Sequence, residues 1–297
     1  MAKIHKIRHR IKSVGKIQQI TKAMERVAAS KMRRAQAAAL RSRPYSHTAR
    51  EILAQLFVLT DPEAHPLFAQ RPINRRLLVL FSSDRGLAGA YTSNVGRVLL
   101  QEIARAKDDA GGVPRIIVVG RKGAQICARL ERGGGIEVAG AYTDWPTEPT
   151  AATVQPIVDT VTGEFTSCAV DAVFMIYTDF VSGLRQVATV QQLLPIDPEQ
   201  VRRREAEIRE VLREAKFEPT PAAVLSYMVP RLLAVQLYQS SLEAIASEQS
   251  MRMVAMKNAS DNAHDLLEDL KLTYNSARQA TITQELAEIS VGVESIS

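Results

Sequence analysis

A glycine-flanked basic pair, Gly120-Arg121-Lys122-Gly123, follows an apolar run and opens a periodic segment, where a phosphate loop sits between strand and helix. It matches neither the GxxxxGKS/T nor the GxGxxG pattern, so it carries no nucleotide signature. His264 and Asp265 lie within one helical turn of Glu268, a spacing able to support a relay or a metal. No second His lies one turn away, and a solvated helix face is the expectation. Met251, Met253 and Met256 do not share a helical face, so packing accounts for them, and Gly133-Gly134-Gly135 reads as a loop. The two cysteines, Cys127 and Cys168, cannot build a disulfide scaffold and have no His or Cys neighbour at metal-ligand spacing, which favours a reducing compartment. GxSxG, HExxH and paired CxxC patterns are absent. No catalytic, cofactor-binding or metal-binding residue is assigned, and a structural or mechanical role is expected instead of an enzyme.

The stretch SSDRGLAGA at 82–90 also leads from an apolar run into a helix. Asp84 and the two glycines can simply shape a tight turn. The plain turn is the expectation from the residues alone, and presentation of Arg85 to an external acidic group is the alternative that stays open.

The elements that would carry these groups follow from the breakers. Lys3 to Arg43 contains no proline and one glycine, Gly15, while apolar side chains recur at Ile4, Ile7, Ile11, Val14, Ile17, Ile20, Met24, Val27, Met32 and Ala35. Spacings of three and four predict a helix, and 41 residues at about 1.5 Å each give a rod of roughly 60 Å. Pro44 is a candidate kink, with helix continuing through EILAQLFVL at 51–59. From 231 to 291 there is again no proline or glycine, and the last turns read Ile282, Leu286, Ile289, Val293 and Ile296, the spacing of a coiled-coil seam. Two such rods at opposite ends of one chain predict an antiparallel pair.

Between them, LLVLF at 77–81, IIVV at 116–119 and AVFMIY at 172–177 are apolar runs of the kind found in strands buried on both faces. Helical stretches near 92–108, 121–131 and 151–166 separate them, and IEVAGAY and RQVATVQQLLPI could add strands, the second as an antiparallel hairpin. The predicted fold class is an α/β domain with a mostly parallel sheet, inserted into a long antiparallel α-helical coiled coil. The expected divisions are 1–60 (first coiled-coil helix), 75–198 (α/β domain), 199–219 (a charged connector read as a solvated helix) and 220–297 (second coiled-coil helix).

Residues 1–50 hold fourteen Lys or Arg against one acid, Glu25, or +13; the whole chain is +6, leaving −7 on the other 247 residues. Such a split calls for an acidic partner: nucleic acid, an anionic membrane surface or an acidic protein. With 46% apolar residues disorder is excluded, and no apolar run reaches the ~18 residues of a membrane span. The N-terminus lacks the apolar stretch of a secretory signal, so the chain is expected to stay where it is made or to have lost a presequence already.

The run IKSVGKIQQITKAMERVAASKMRRAQ at 11–36 resembles the first helix of the γ subunits of F-type ATP synthases. SDRGLAGAY at 83–91, YTDFVSGLRQVATVQQLLP at 177–195, EQSMRMVAMKNASDNA at 248–263 and ARQATITQELAEI at 277–289 resemble further segments of that family, in its order. Ala88 stands where the family usually has Cys, Val293 where it commonly has Ala, and 199–217 matches poorly. The redox Cys pair of chloroplast members has no counterpart in Cys127 and Cys168.

The resemblance implies a non-catalytic central stalk with no cofactor. Its partners would be an α3β3 hexamer, an epsilon subunit (delta in mitochondria) and the membrane c-ring, with no nucleic acid. It would be a peripheral membrane protein on the cytoplasmic side of a bacterial plasma membrane, with an organelle inner membrane as the alternative. By the same resemblance, Lys22, Met24, Arg26, Arg33 and Arg85 match the neck facing an acidic segment of the β subunits. Arg278, Gln279, Thr283 and Glu285 match polar contacts with catalytic-subunit loops. Ile282, Leu286, Ile289, Val293 and Ile296 would form an apolar bearing. A basic coiled-coil nucleic-acid binder is the alternative, weakened because the basic helix has no interleaved aromatics for bases to stack on. A membrane-surface helix would need one strongly apolar and one strongly basic face, which the Ala and Gln content of 28–40 opposes.

Overall fold

The structure, a computed structural model, describes residues 2–60, 65–110, 112–196 and 217–294. Five strands form one sheet in the order β3-β2-β1-β4-β5: β1 Arg76–Phe81, β2 Arg115–Val119, β3 Glu137–Tyr142, β4 Ala172–Phe180 and β5 Gln186–Leu194. The first four are parallel neighbours and β5 returns antiparallel on β4. Helix α1 is Ala2–Leu59; α2 (Tyr91–Ala110) follows β1, α3 (Arg121–Arg132) follows β2, α4 (Ala151–Thr166) precedes β4, and α5 is Pro221–Glu294. The charged stretch 199–216 lies outside the described residues.

Alternation along the strands divides the core in two. Leu77, Val79 and Phe81 of β1, with Ile117, Val119, Val173 and Met175, face a cluster built with α4, the Ala49 to Phe57 part of α1 and the Leu225 to Leu237 part of α5. Leu78, Leu80, Ile116, Val118 and Ile176 point the other way, onto Val95, Leu99 and Ile103 of α2 and Cys127 of α3. Period-two alternation with apolar residues on both faces is why these strands read as unbroken hydrophobic runs. β4 runs three residues past the expected Tyr177, because the hairpin with β5 pairs Phe180 with Gln186.

Neither interior proline of the two long helices ends its helix. Pro44 lies inside α1 and Pro230 inside α5. The start of α5 is set by Thr220, whose hydroxyl accepts from the amide of Ala223 at 3.2 Å, and by Pro221 at the first position, where a missing N–H costs nothing.

The chain divides into two compact units, Ser30–Met251 and Met1–Ala29 with Arg252–Ser297. The first holds the sheet, its helices and the adjoining parts of α1 and α5. In the second, α1 and α5 pack together: Ile11 and Val14 meet Ala263, Leu267 and Leu270. Burial on α1 follows Ile4, Ile7, Ile11, Val14, Gln18, Thr21, Glu25 and Ala28; on α5 it follows Met256, Ser260, Ala263, Leu267, Leu270, Tyr274, Ala277 and Thr281. Both are three-four spacings, the geometry of a coiled coil.

Ile17, Ile20 and Val27, members of the apolar repeat, are left out of the seam, 52%, 58% and 55% exposed. Two apolar stripes run side by side on α1, and one partner helix covers a single stripe. The covered one includes Thr21, whose hydroxyl is satisfied by the Ile17 and Gln18 carbonyls of its own helix at 3.1 and 3.0 Å. Among the described residues no helix is long and apolar enough to cross a membrane.

Candidate functional site

The turn 82–90 is built at the carboxyl end of β1 from contacts distant in sequence. The Asp84 carboxylate accepts from the backbone amide of Arg121 at 2.9 Å and that of Asp144 at 3.2 Å, while the Arg121 guanidinium pairs with the Asp144 carboxylate. Ser82 donates its hydroxyl to the Val119 carbonyl at 2.8 Å and accepts from the Gly123 amide at 2.9 Å. The buried Ser83 shares a hydrogen bond of 2.8 Å with Thr92 of α2.

These bonds explain why the loop 120–123 resembles a phosphate site without being one. The first turn of α3 presents the unsatisfied amides that favour anions, but Asp84 and Ser82 already fill them. The glycines serve close packing: Gly120 sits at φ 100°, and a Cβ there would lie 2.4 Å from the Ser82 carbonyl oxygen. A Cβ on Gly123 would lie 2.3 Å from the Ser82 hydroxyl oxygen. Asp144 was not singled out from sequence, and Arg121 and Ser82 entered only as members of two separate stretches, 120–123 and 82–90; nothing in the sequence joined the three.

The turn that Asp84 secures carries Arg85, which is exposed. Ala88 and Tyr91 are buried on its far side, so the loop is held at both ends. On α1, Lys22, Arg26 and Arg33 are exposed and Met24 is half-buried. Met24 continues the Ile17, Ile20, Val27 stripe at three-four spacing, with Lys16 and Arg26 beside it, giving that part of α1 an outward face both apolar and basic.

At the other end of α5 the seam stops. With Val14 packed near Leu267 and α1 starting at Ala2, the antiparallel partner reaches about as far as Gln279. Beyond Thr281 every residue to Ser290 whose burial is described is exposed, with Ile282, Leu286 and Ile289 at 43%, 60% and 63%. The expected coiled-coil seam of these residues therefore has no partner within the described chain. The Val293 side chain and Ile296 lie outside the described residues. Arg278, Gln279, Thr283 and Glu285 are exposed on the same helix, and Thr283 donates back to the Gln279 carbonyl at 3.0 Å. At about 100° per residue, these polar and apolar side chains share one face roughly 160° wide.

The remaining sequence candidates are structural. His264 and Glu268 approach to 3.7 Å on the surface, and among the described residues no group of three or more His, Cys, Asp or Glu could hold a metal. Cys127 is buried under α3, and burial, with the Glu131 carboxylate adding, pushes its thiol up to about 11. Cys168 is exposed, its sulfur 2.7 Å from the Arg71 guanidinium.

Residues 3–296 match the family model described as ATP synthase. The chain is 40% identical over 301 residues to the ATP synthase gamma chain of Opitutus terrae, covering 98% of this chain and 97% of that one. It is 36% identical over 298 residues to the gamma chain of Psychrobacter cryohalolentis, covering 100% of both. Among solved structures, a chain of the Tetrahymena thermophila mitochondrial ATP synthase central stalk and c-ring superposes with a TM-score of 0.58 at 25% identity, over 81% of this chain and 99% of that one. A chain of the Euglena gracilis mitochondrial ATP synthase shares the fold with a TM-score of 0.66 at 17% identity, over 99% and 95% of the two chains. Two long terminal helices around a mostly parallel sheet, matched along their whole length by these relatives, place the chain in the ATP synthase gamma-chain family.

Proposed function

We propose that the chain is the central rotor shaft of an F-type ATP synthase. It couples ion-driven turning of a membrane c-ring to sequential conformational change in the catalytic β subunits of an α3β3 ring, and the reverse in hydrolysis. An epsilon subunit is its companion in the stalk. The working location is peripheral, on the cytoplasmic face of a bacterial plasma membrane.

The observation that carries this reading is the bare end of α5. In a gamma-family chain, an exposed face of Arg278, Gln279, Ile282, Thr283, Leu286 and Ile289 beyond the paired seam needs a socket from outside the chain. The shaft does no bond chemistry. An asymmetric rod turning in a threefold ring presents a different face to each catalytic subunit in turn, and each site passes through its open and closed states in order. Apolar contact is non-directional and lets the tip slide in its sleeve. Polar contacts at Arg278, Gln279, Thr283 and Glu285 form in one orientation and mark the angle. On α1, Lys22, Met24, Arg26 and Arg33 meet acidic segments of the β subunits, and Arg85 of the turn meets one as well.

Charge reversal tests this. Replacing Lys22, Arg26, Arg33 and Arg85 by Glu sets like charges against that segment, at several tenths to a few kcal/mol for each close pair. Yield of the reconstituted complex and its ATP turnover should both fall, more at low salt. Unchanged coupling in the quadruple variant would move the acidic partner elsewhere.

A further inference from the structure

The spacing that His264 lacks is present at the start of α1. His5 and His9 stand four positions apart in the run HKIRH, inside the helix Ala2–Leu59. Four residues advance an α-helix by about 6 Å and turn it by about 40°, so the two imidazoles lie one above the other on one face. That face is about 170° around the helix from the stripe of Ile4, Ile7, Ile11 and Val14, of which Ile11 and Val14 pack on α5. Both histidines are exposed, and among the described residues neither has a hydrogen-bond or ion-pair partner.

The other histidines are placed differently. Nδ1 of His65 accepts from the Leu67 amide at 3.2 Å, and His264 has the Glu268 carboxylate beside it. The His47 side chain lies outside the described residues. Two imidazoles at i and i+4 are the ligand pair of zinc-binding HExxH helices, where this spacing lets both rings reach one ion. His5 and His9 reproduce the pair without the glutamate, which in those helices is a base and not a ligand.

The surroundings decide which ion fits. Lys6, Arg8, Arg10 and Lys12 flank the pair and are exposed, and no acid occurs on α1 before Glu25. Repulsion from these cations opposes an ion held by charge, which removes magnesium and calcium, whose ligands are oxygens. Affinity has to come from the metal–imidazole bond itself, and that favours copper(II), nickel and zinc.

The same stretch is where α1 is weakest. The first amides of a helix have no intrahelical acceptor, and the first turn of α1 holds no acid to offset its dipole. A chelate across one turn closes only when that turn is wound, so a bound ion stabilises the helical form against fraying. We propose that His5 and His9 form a two-histidine site for a divalent late-transition ion, with water completing its coordination, and that the ion staples the first turns of α1. The site does not depend on the rotor reading.

The test titrates the full chain with zinc chloride in a calorimeter, beside His5→Ala, His9→Ala and the double variant His9→Ala with Arg10→His. The double variant keeps two imidazoles but sets them about 140° apart. All three positions are exposed and alanine favours the helix, so the metal-free thermal midpoints should equal the parent's. We expect one zinc site in the parent that every variant weakens at least about tenfold, because the second imidazole acts at a high effective concentration. Copper(II) should bind more tightly than zinc, magnesium should not compete, and added salt should strengthen zinc binding by screening the flanking cations. With zinc at about a hundred times its dissociation constant, amide exchange over residues 6–12 should slow by at least about tenfold in the parent alone. Parental affinity in the double variant or in His9→Ala would place the ion elsewhere and overturn the site. Competition by magnesium, or binding that salt weakens, would mean an ion held by charge and overturn it equally. Zinc bound by the pair with unchanged exchange would overturn the staple. None of these results bears on turnover of the assembled complex, which tests the rotor reading separately.

Discussion

At the scale of residues, the best-defined device is Asp84, which stands where an anion would sit at the start of α3. Replacing it with Ala vacates the amides of Arg121 and Asp144 and loosens the turn that holds Arg85. Amide hydrogen exchange at those two positions should accelerate at least tenfold, corresponding to loss of a charge-assisted hydrogen bond of ~1.5–3 kcal/mol. Added sulfate should slow exchange again by occupying the vacated site. Unchanged exchange would mean that the turn is held by Ser82 and Ser83 alone.

Cys127 offers a pH test. Its folded-state value of about 11 lies above the ordinary 9.0, so above pH 9 the folded chain keeps a proton that the unfolded chain has released. The stabilisation is whole below pH 9 and is lost as pH rises through about 11. Urea midpoints measured from pH 9 to 11 should therefore fall more steeply for the parent than for Cys127→Ala. Equal slopes would contradict a protected thiol.

At the scale of elements, the two kinds of contact on the α5 tip should separate. Truncation after Glu288 removes Ile289, Val293 and Ile296, each worth ~1.5–3 kcal/mol when fully buried. A sliding sleeve transmits little torque, so complex yield should fall more than turnover per assembled complex. On the proposed assignment, changing Arg278, Gln279 and Thr283 to Ala would remove orientation-specific hydrogen bonds with the ring, ~0.5–3 kcal/mol each in the state that forms them. That variant should assemble and turn over at an altered rate. A fully assembled truncation that is inactive beside a normal triple variant would reverse the assignment of bearing and grip.

Elements were also what the sequence made legible. Strands β1, β2 and β4 stand out because both faces are apolar, and the long helices because nothing interrupts their period. What periodicity could not decide is which stripe pairs inside the chain. Ile17, Ile20 and Val27 are more hydrophobic than Gln18, Thr21 and Ala28, yet the latter are the ones covered, in phase with the Ile11 and Val14 that meet α5. A stripe meant for another subunit has the same spacing as one meant for the partner helix. The contacts of Asp84, 37 and 60 positions away in the chain, leave no local pattern at all.

At the scale of the whole molecule, the charge split and the two kinds of unpaired apolar face acquire one explanation. A shaft is acted on at separate places along its length, and each place must be finished by another subunit. The basic excess of +13 on the first fifty residues sits on the helix that also carries the exposed Ile17, Ile20 and Val27 stripe. The −7 of the remainder shows that this is a local requirement and not a general property of the chain.

The most direct measurement is therefore rotation itself. Cys168 is exposed and Cys127 buried, so a thiol-reactive biotin places one bead-attachment point on the sheet-bearing unit. With the chain assembled into an α3β3 ring fixed to a surface and supplied with ATP, the bead should turn in one direction with three dwells per revolution. A ring that hydrolyses ATP at its normal rate while the attached bead remains still would contradict the rotor assignment.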